Sequence, residues 1–223
     1  AATPPAPVVT PPVVPPPAAP TPTVPLLTPR RWERRRLAVV RVALVPAAGP
    51  DAALQTARAL ETFVDKVRTF GGRVEGIGPI GFVAAFGLDT VGDVADRAAH
   101  VAMTIVKAAE RARREEAGEL GVRVGLHVSM VLVGLGGGPT ELDMDERRDL
   151  WPLLDQLVEH APLDGVTVSS SAASLLTRRF DLAPGPGLAG GAPVHLLIGR
   201  ERTGLGLGGG ITNSGVLTLT DAI

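Results

Sequence analysis

The sequence predicts an α+β fold in which one mostly antiparallel β-sheet is covered by helices. Short apolar, β-branched segments alternate with two long segments whose apolar residues recur at helical spacing. Turns rich in glycine separate several of the short segments, as in hairpins. The 223 residues are 45% hydrophobic and 20% charged, which is enough for one well-filled core.

The first half of the chain supplies a strand, a helix, a hairpin and a second helix. The β-branched run 37–45 predicts a buried strand, and helical periodicity predicts a helix over 51–70 that Gly71 and Gly72 end. Residues 73–77 and 82–86 predict a hairpin around a turn that contains glycine. The second long helix, over 93–117, has an inner face of Ala98, Val101, Ile105, Ala108 and Ala112.

The second half repeats this pattern in shorter elements. Residues 122–128 and 130–134 predict a second pair of strands, followed by a glycine-rich turn. A helix over 146–160 contains Pro152, and the predicted elements that follow are a strand at 166–168, a helix at 172–176 and a strand at 194–198. Two β-α-β-type units with added hairpins favour a sandwich of one sheet and its helices.

The two ends differ in composition from this central part. Residues 1–32 are rich in proline, which favours a disordered or polyproline II spacer, with a PxxP ligand for an SH3-like domain as the alternative. We expect residues 33–201 to form the folded domain and residues 202–223 to be a flexible, glycine-rich tail. The chain does not begin with Met, so we interpret it as part of a longer protein.

Composition excludes several classes of function. A net charge of −1 argues against a nucleic-acid or anionic-membrane partner. The absence of cysteine excludes disulfides and thiolate metal sites. No apolar run reaches the ~18 residues of a membrane-spanning helix. These features favour a cytoplasmic domain. We also expect no cofactor.

Five stretches, in order, resemble the catalytic domain of class III adenylate/guanylate cyclases, and the resemblance covers residues 33–201. These stretches are RRRLAVVRVALVPAAGP, GGRVEGIGPIGFVAAFG, VRVGLHVSMVLVG, DLWPLLDQLVEHAPLDGVTVS and RRFDLAPGPG followed by VHLLIGRE. The resemblance implies the ferredoxin-like sandwich of that family. It also implies a dimer with nucleotide sites between the subunits and two metal ions held by two aspartates.

The same resemblance predicts that the catalytic residues are missing. Ala43 and Ile80 stand where the family has its metal-binding aspartates, and neither side chain carries an oxygen ligand. Gly76 stands at the purine-reading lysine.

Two further positions of the family lie in the predicted helix over 146–160. Pro152 stands at its asparagine, and Gln156 at the arginine that stabilises the transition state. Asp145 matches the other base-reading position and is a weak candidate for substrate binding. No metal site is expected.

These positions predict a catalytically inactive pseudo-cyclase that serves as a regulatory or dimerisation module in a larger bacterial signalling protein. We expect a homodimer, pairing with another cyclase-type domain, or contact with other domains of the parent protein. One alternative is a sensor that binds a nucleotide or small molecule without turnover, and another is an active cyclase with replaced residues. Asp143, Asp145 and Glu146 are interpreted as a helix start, and His127 as a structural residue within a strand.

Overall fold

The computed structural model describes residues 30–201 apart from residues 47, 90–91, 117–119, 137 and 189. Within these residues, eight strands form one sheet and four helices pack on it. The strands are β1 Arg31–Val45, β2 Gly72–Gly78, β3 Gly81–Phe86, β4 Gly121–Leu135, β5 Glu141–Leu142, β6 Gly165–Ser169, β7 Phe180–Pro184 and β8 Val194–Glu201. The helices are α1 Ala52–Thr69, α2 Val94–Glu116, α3 Met144–Glu159 and α4 Ser170–Leu176.

The sheet has the strand order β2-β3-β1-β4-β6-β8-β7, and β5 adds to β4. Every described pairing is antiparallel except that of β4 with β6, which is parallel. The long strands β1 and β4 form the centre of the sheet and pair from Arg31↔Leu135 to Val45↔Gly121. The predicted α+β class, with one mostly antiparallel sheet covered by helices, is confirmed.

The two faces of the sheet carry separate apolar cores. On one face, α1, α2 and α4 cover alternate side chains of the central strands, including Val40, Phe82 and Val124. On the other face, here called the α3 face, α3 packs against a smaller cluster that includes Val39 and Val83. A Cβ atom on Gly125 would lie 2.9 Å from Leu157 Cβ, so this glycine permits the close approach of α3 to β4.

The predicted break at Ser129 was wrong, because β4 is one continuous strand of 15 residues. The error arose because the buried apolar residues occupy even-numbered positions up to Val128 and odd-numbered positions from Val131. Burial changes face there because the layer of α1, α2 and α4 ends, while α3 and β5 cover the opposite face. Ser129 pairs with Leu37 in an unbroken ladder, so no hairpin forms.

Other boundaries of the strands also differ from the sequence-based prediction. β1 begins at Arg31 rather than at Leu37, so Arg31 and Trp32 belong to a strand instead of the predicted spacer. The short strands β5 and β7 were not predicted. The proline-rich segment before residue 30 and the glycine-rich tail after residue 201 lie outside the described residues. Among the described helices, none combines the length and hydropathy that a membrane-spanning helix requires.

Candidate functional site

Ala43 and Ile80, the two positions matched to metal aspartates, are neighbours in the structure. Ala43 lies near the end of β1, where it pairs with Gly81 of β3 and Arg123 of β4. Ile80 lies in the turn between β2 and β3, and its carbonyl oxygen accepts a hydrogen bond of 2.8 Å from Leu44 N. The fold therefore places both positions at one point of the sheet.

Gly81 explains how this turn sits so close to β1. A Cβ atom on Gly81 would lie 2.2 Å from the Val42 carbonyl oxygen, which is a backbone atom that cannot move independently. Only glycine fits without shifting one of the strands. Ile80 is 54% exposed, so this position faces solvent at the end of the hairpin.

The surroundings of Ala43 on the α3 face are positively charged. Arg41 lies two residues earlier on the same side of β1, and Arg123 lies directly across from Ala43. Arg41 Nε lies 3.0 Å from Asp155 Oδ1 in an ion pair that lacks hydrogen-bond geometry. Arg123 has no ion-pair partner among the described residues, and its buried Nε makes no hydrogen bond to them.

This residue set does not fit a magnesium site. Mg²⁺ requires oxygen ligands, whereas Ala43 and Ile80 supply none and two guanidinium groups flank Ala43. The nearby carboxylate of Asp155 is already paired with Arg41. Over the described part of the chain, no three His, Asp or Glu residues lie close enough together to hold a metal ion.

Gly76 and Asp145, the two positions matched to base-reading residues of the cyclase family, lie on segments that the Glu75 side chain connects. Gly76 follows a bulge in β2, and a Cβ atom placed on it would have no atom within 4 Å beyond its neighbours. The Glu75 side chain, only 4% exposed, is ion-paired with Arg147 in the first turns of α3. This pair ties the bulge of β2 to the start of α3.

Asp145 is a surface residue at the start of α3. Its side chain is 82% exposed and lies 3.0 Å from Arg148. Asp143 caps α3 by accepting hydrogen bonds from the backbone N–H groups of Asp145 and Glu146, at 2.9 and 3.3 Å. Glu146 Oε1 accepts a hydrogen bond of 3.1 Å from Leu132 N. The interpretation of this acidic cluster as a helix start is confirmed.

Pro152 and Gln156 lie about one helical turn apart on α3. Pro152 is exposed, and α3 continues through it to Glu159. Gln156 is half-buried, and its backbone carbonyl oxygen lies 2.8 Å from His160 Nδ1. Neither side chain supplies a positive charge for a developing phosphate charge.

Solved structures share this architecture. Their fold is that of adenylyl and guanylyl cyclase domains. The adenylyl cyclase CyaB from P. aeruginosa is 15% identical, with a TM-score of 0.65 over 77% of this chain and 98% of that one. The guanylate cyclase domain of RhGC from Catenaria anguillulae, in complex with GTP, is 15% identical, with a TM-score of 0.61 over 75% of this chain and 98% of that one.

A dimeric guanylyl cyclase domain, from the RhoGC fusion protein of the aquatic fungus Blastocladiella emersonii, also shares the fold. It is 15% identical, with a TM-score of 0.61 over 78% of this chain and 99% of the other. At such identities the likeness establishes the fold alone. No protein-family model and no curated protein matches the sequence.

Sequence reasoning missed Glu75 and the arginines around Ala43. Arg73 Nε lies 2.7 Å from Glu75 Oε1, so Arg73 and Arg147 together neutralise this buried carboxylate. The sequence contains one indication of the positive charge near Ala43, because Arg41 is a charged residue within the apolar run of β1. The position of Arg123 opposite Ala43 follows only from strand register.

His127 belongs to a small polar network between β4 and the start of α4. Its Nδ1 lies 2.9 Å from Ser169 Oγ, and Ser169 Oγ lies 3.1 Å from Ser171 Oγ. Ser171 donates a hydrogen bond of 2.7 Å to the Val128 carbonyl oxygen. These contacts tie α4 to the sheet and support the structural interpretation of His127. Burial lowers the pKa of His127 below its usual value.

This lowered pKa predicts a pH-dependent stability. The folded protein favours neutral His127, whereas the unfolded chain takes up a proton below about pH 6.5. His127 therefore lowers the free energy of unfolding as pH falls below that value. Urea unfolding at pH 7.5 and 5.5 is expected to show a smaller loss in a His127→Gln variant, whose amide can still bond to Ser169 but does not titrate. An equal loss in both proteins would contradict this assignment.

Proposed function

We propose that this chain is a pseudo-cyclase, a cyclase-fold domain that does not form cyclic nucleotides and acts as a dimerisation or regulatory module. The observation that carries the proposal is the neighbourhood of Ala43. Two positions that would need carboxylates lie side by side, both lack oxygen ligands, and arginines lie where a divalent cation would require negative charge.

Electrostatic repulsion adds to the effect of the missing ligands. Two unit charges 4 Å apart interact by about 4 kcal/mol at an effective dielectric of 20. The guanidinium of Arg123, which has no ion-pair partner in the described part of the chain, therefore repels a metal cation placed beside Ala43. The same group attracts anions, so the charge preference of this point is opposite to that of a metal site.

The remaining positions support loss of catalysis independently. Gly76 has no side chain to read a base, and Pro152 has neither a side-chain amide nor a backbone donor. Gln156 is neutral and cannot offset negative charge on the phosphates of a transition state. Four different functions, in metal binding, base reading, orientation and charge stabilisation, would each have to be supplied by other residues.

The distance between Ala43 and the start of α3 supports a dimeric module. Ala43 pairs with Arg123, whereas the start of α3 contacts β4 at Leu132, nine residues along the strand or about 30 Å. Within one subunit, Ala43 and the start of α3 therefore lie at separate points along β4. A site assembled between two subunits could bring such positions together, and we propose such pairing for this domain or for its contact with another cyclase-type domain.

Two alternatives remain distinct from this proposal. A sensor that binds without turnover is favoured by the open space at Gly76 and by the positive charge of Arg123, which suits an anionic ligand. An active cyclase would need new metal ligands. Asp145 is the matched acidic candidate, but it lies far along the sheet from Ala43 and is ion-paired with Arg148.

The test is thermal unfolding of the full chain with Mn²⁺ and millimolar ATP or GTP. We expect a shift below about 1 °C, because a ligand at 100 times its Kd would add about 2.7 kcal/mol of stability, equivalent to several degrees. Light scattering is expected to show a dimer whose mass does not depend on nucleotide.

The outcomes separate the three functions. A metal-dependent shift accompanied by cyclic nucleotide would overturn the proposal in favour of an enzyme. A saturable shift with ATP or GTP alone, without product, would favour the sensor. A strict monomer at all concentrations would contradict self-association.

A further inference from the structure

The central strands extend beyond their neighbours as a two-stranded ribbon. β3 pairs with β1 only at residues 38–43, and β6 pairs with β4 only at residues 123–126. β1 before residue 37 and β4 after residue 129 therefore pair mainly with each other. We define the ribbon face as the side of this ribbon that carries Trp32, Arg34, Arg36, Met130 and Leu132.

The two sides of the ribbon are covered unequally. On the α3 side, Val131 and Val133 are completely buried and belong to the core beneath α3. On the ribbon face, Trp32 is 44% exposed and Met130 is 48% exposed. These two apolar side chains are thus exposed to solvent, although the opposite side of the same two strands is buried.

Trp32 is held in a defined position despite its exposure. Its ring lies across Gly134, where a Cβ atom would be 3.2 Å from Trp32 Cζ3. The guanidinium carbon of Arg30 lies 5.8 Å from the centroid of the Trp32 ring, in a cation–π contact. Arg30 Nη2 also forms an ion pair of 2.8 Å with Glu141 Oε2. An ordered, exposed tryptophan loses little side-chain entropy when a partner covers it.

The ribbon face also carries uncompensated positive charge. Arg34 and Arg36 are exposed and have no ion-pair partner among the residues that the structure describes. Their neighbour Arg35 points to the other side, where Glu33 pairs with it. Arg34 and Arg36 therefore follow Trp32 along β1, with Leu132 and Met130 across from them on β4.

We propose that the ribbon face is a docking site for an acidic amphipathic helix of a partner protein. Arg34 and Arg36 lie two strand residues apart, or about 6.7 Å, which matches the ~6 Å between side chains at positions i and i+4 of a helix. Carboxylates at that spacing can pair with both arginines while an apolar stripe covers Trp32 and Met130.

The combination of exposed apolar side chains and arginines on the ribbon face favours a protein partner over other macromolecules. Tryptophan, methionine and arginine are the residue types enriched at protein interfaces. The protein has a net charge of −1 and so lacks the overall field that recruits nucleic acid or anionic membranes. The site is separate from the neighbourhood of Ala43, so this proposal stands or fails independently of the loss of catalysis.

The experiment measures binding of a fluorescein-labelled amphipathic helix of about 14 residues, composed of leucine, alanine and glutamate, to the full chain. We expect saturable binding that weakens with salt and falls at least tenfold in a double variant, Arg34→Glu with Arg36→Glu, and in Trp32→Ala. A matched double variant, Arg58→Glu with Arg111→Glu, makes the same charge change on exposed helix positions and is expected to bind as the parent does.

Competing ligands decide the class of partner. A peptide with lysine in place of glutamate, phosphatidylserine vesicles and a short single-stranded oligonucleotide are measured in parallel. No saturable binding of the acidic helix at submillimolar concentration would overturn the proposal, as would equal loss in the control double variant. Tighter binding of the vesicles or the oligonucleotide would also overturn it. Circular dichroism verifies that each variant is folded.

Discussion

A double variant, Ala43→Asp with Ile80→Asp, is expected to bind Mn²⁺ at least tenfold more tightly than the parent chain. The two positions are adjacent, since Ile80 O bonds to Leu44 N and Ala43 pairs with Gly81. Carboxylates there would supply the oxygen ligands that hard divalent cations require. A tenfold gain corresponds to about 1.4 kcal/mol. Electron paramagnetic resonance measures it directly through the loss of the free Mn²⁺ signal.

The arginines make this test sharper. Adding Arg123→Gln to the double variant removes the positive charge across from Ala43 and is expected to tighten Mn²⁺ binding again. A control with asparagine at both positions keeps the size and polarity but not the charge, and it is expected to bind as weakly as the parent. If the aspartate variant folds and gains no affinity, the assignment of Ala43 and Ile80 to metal positions is wrong.

A Glu75→Ala variant is expected to lose roughly 3 kcal/mol of unfolding free energy. Glu75 is almost fully buried, and its carboxylate lies between Arg73 and Arg147. Removing it leaves the partly buried guanidinium of Arg147 without its counter-charge, and it leaves Arg73 with Asp89 as its remaining carboxylate partner. The change also cuts the link between the bulge of β2 and the start of α3. Urea unfolding monitored by tryptophan fluorescence gives the difference, because Trp151 stacks with Arg147 on α3.

Matched variants separate charge from packing at this point. Glu61→Ala makes the same change at an exposed position of α1 and is expected to cost less than about 0.5 kcal/mol. Glu75→Gln keeps the shape and removes the charge, so it should lie between the two. A loss in Glu75→Ala no larger than that in Glu61→Ala would show that the buried ion pairs do not hold β2 to α3.

Local patterns in the sequence were sufficient for most elements. Helical spacing located α1, α2 and α3 to within a few residues, because an amphipathic helix repeats its buried positions within its own segment. β2 and β3 were found from the glycines of their turn. The short strand β7 was missed because it ends in proline at the edge of the sheet, where the usual strand pattern is weak.

Features that depend on pairing between distant segments were not predictable in the same way. The shift of buried positions along β4 imitates the end of a strand, and only the layers packed on each face show that the strand continues. The early start of β1 at Arg31 depends on its partner in β4, because a segment rich in arginine has no strand signal of its own.

The sequence by itself determined which residue types occupy the candidate site, and thus that Ala43 and Ile80 bring no carboxylate. Tertiary structure decided what surrounds them: Arg123 faces Ala43, and Glu75 lies buried between two arginines. The physical reason is strand register. Because side chains alternate between faces, a shift of one residue would turn Arg123 to the opposite side of the sheet, and only the complete pairing of β1 with β4 fixes which side it takes.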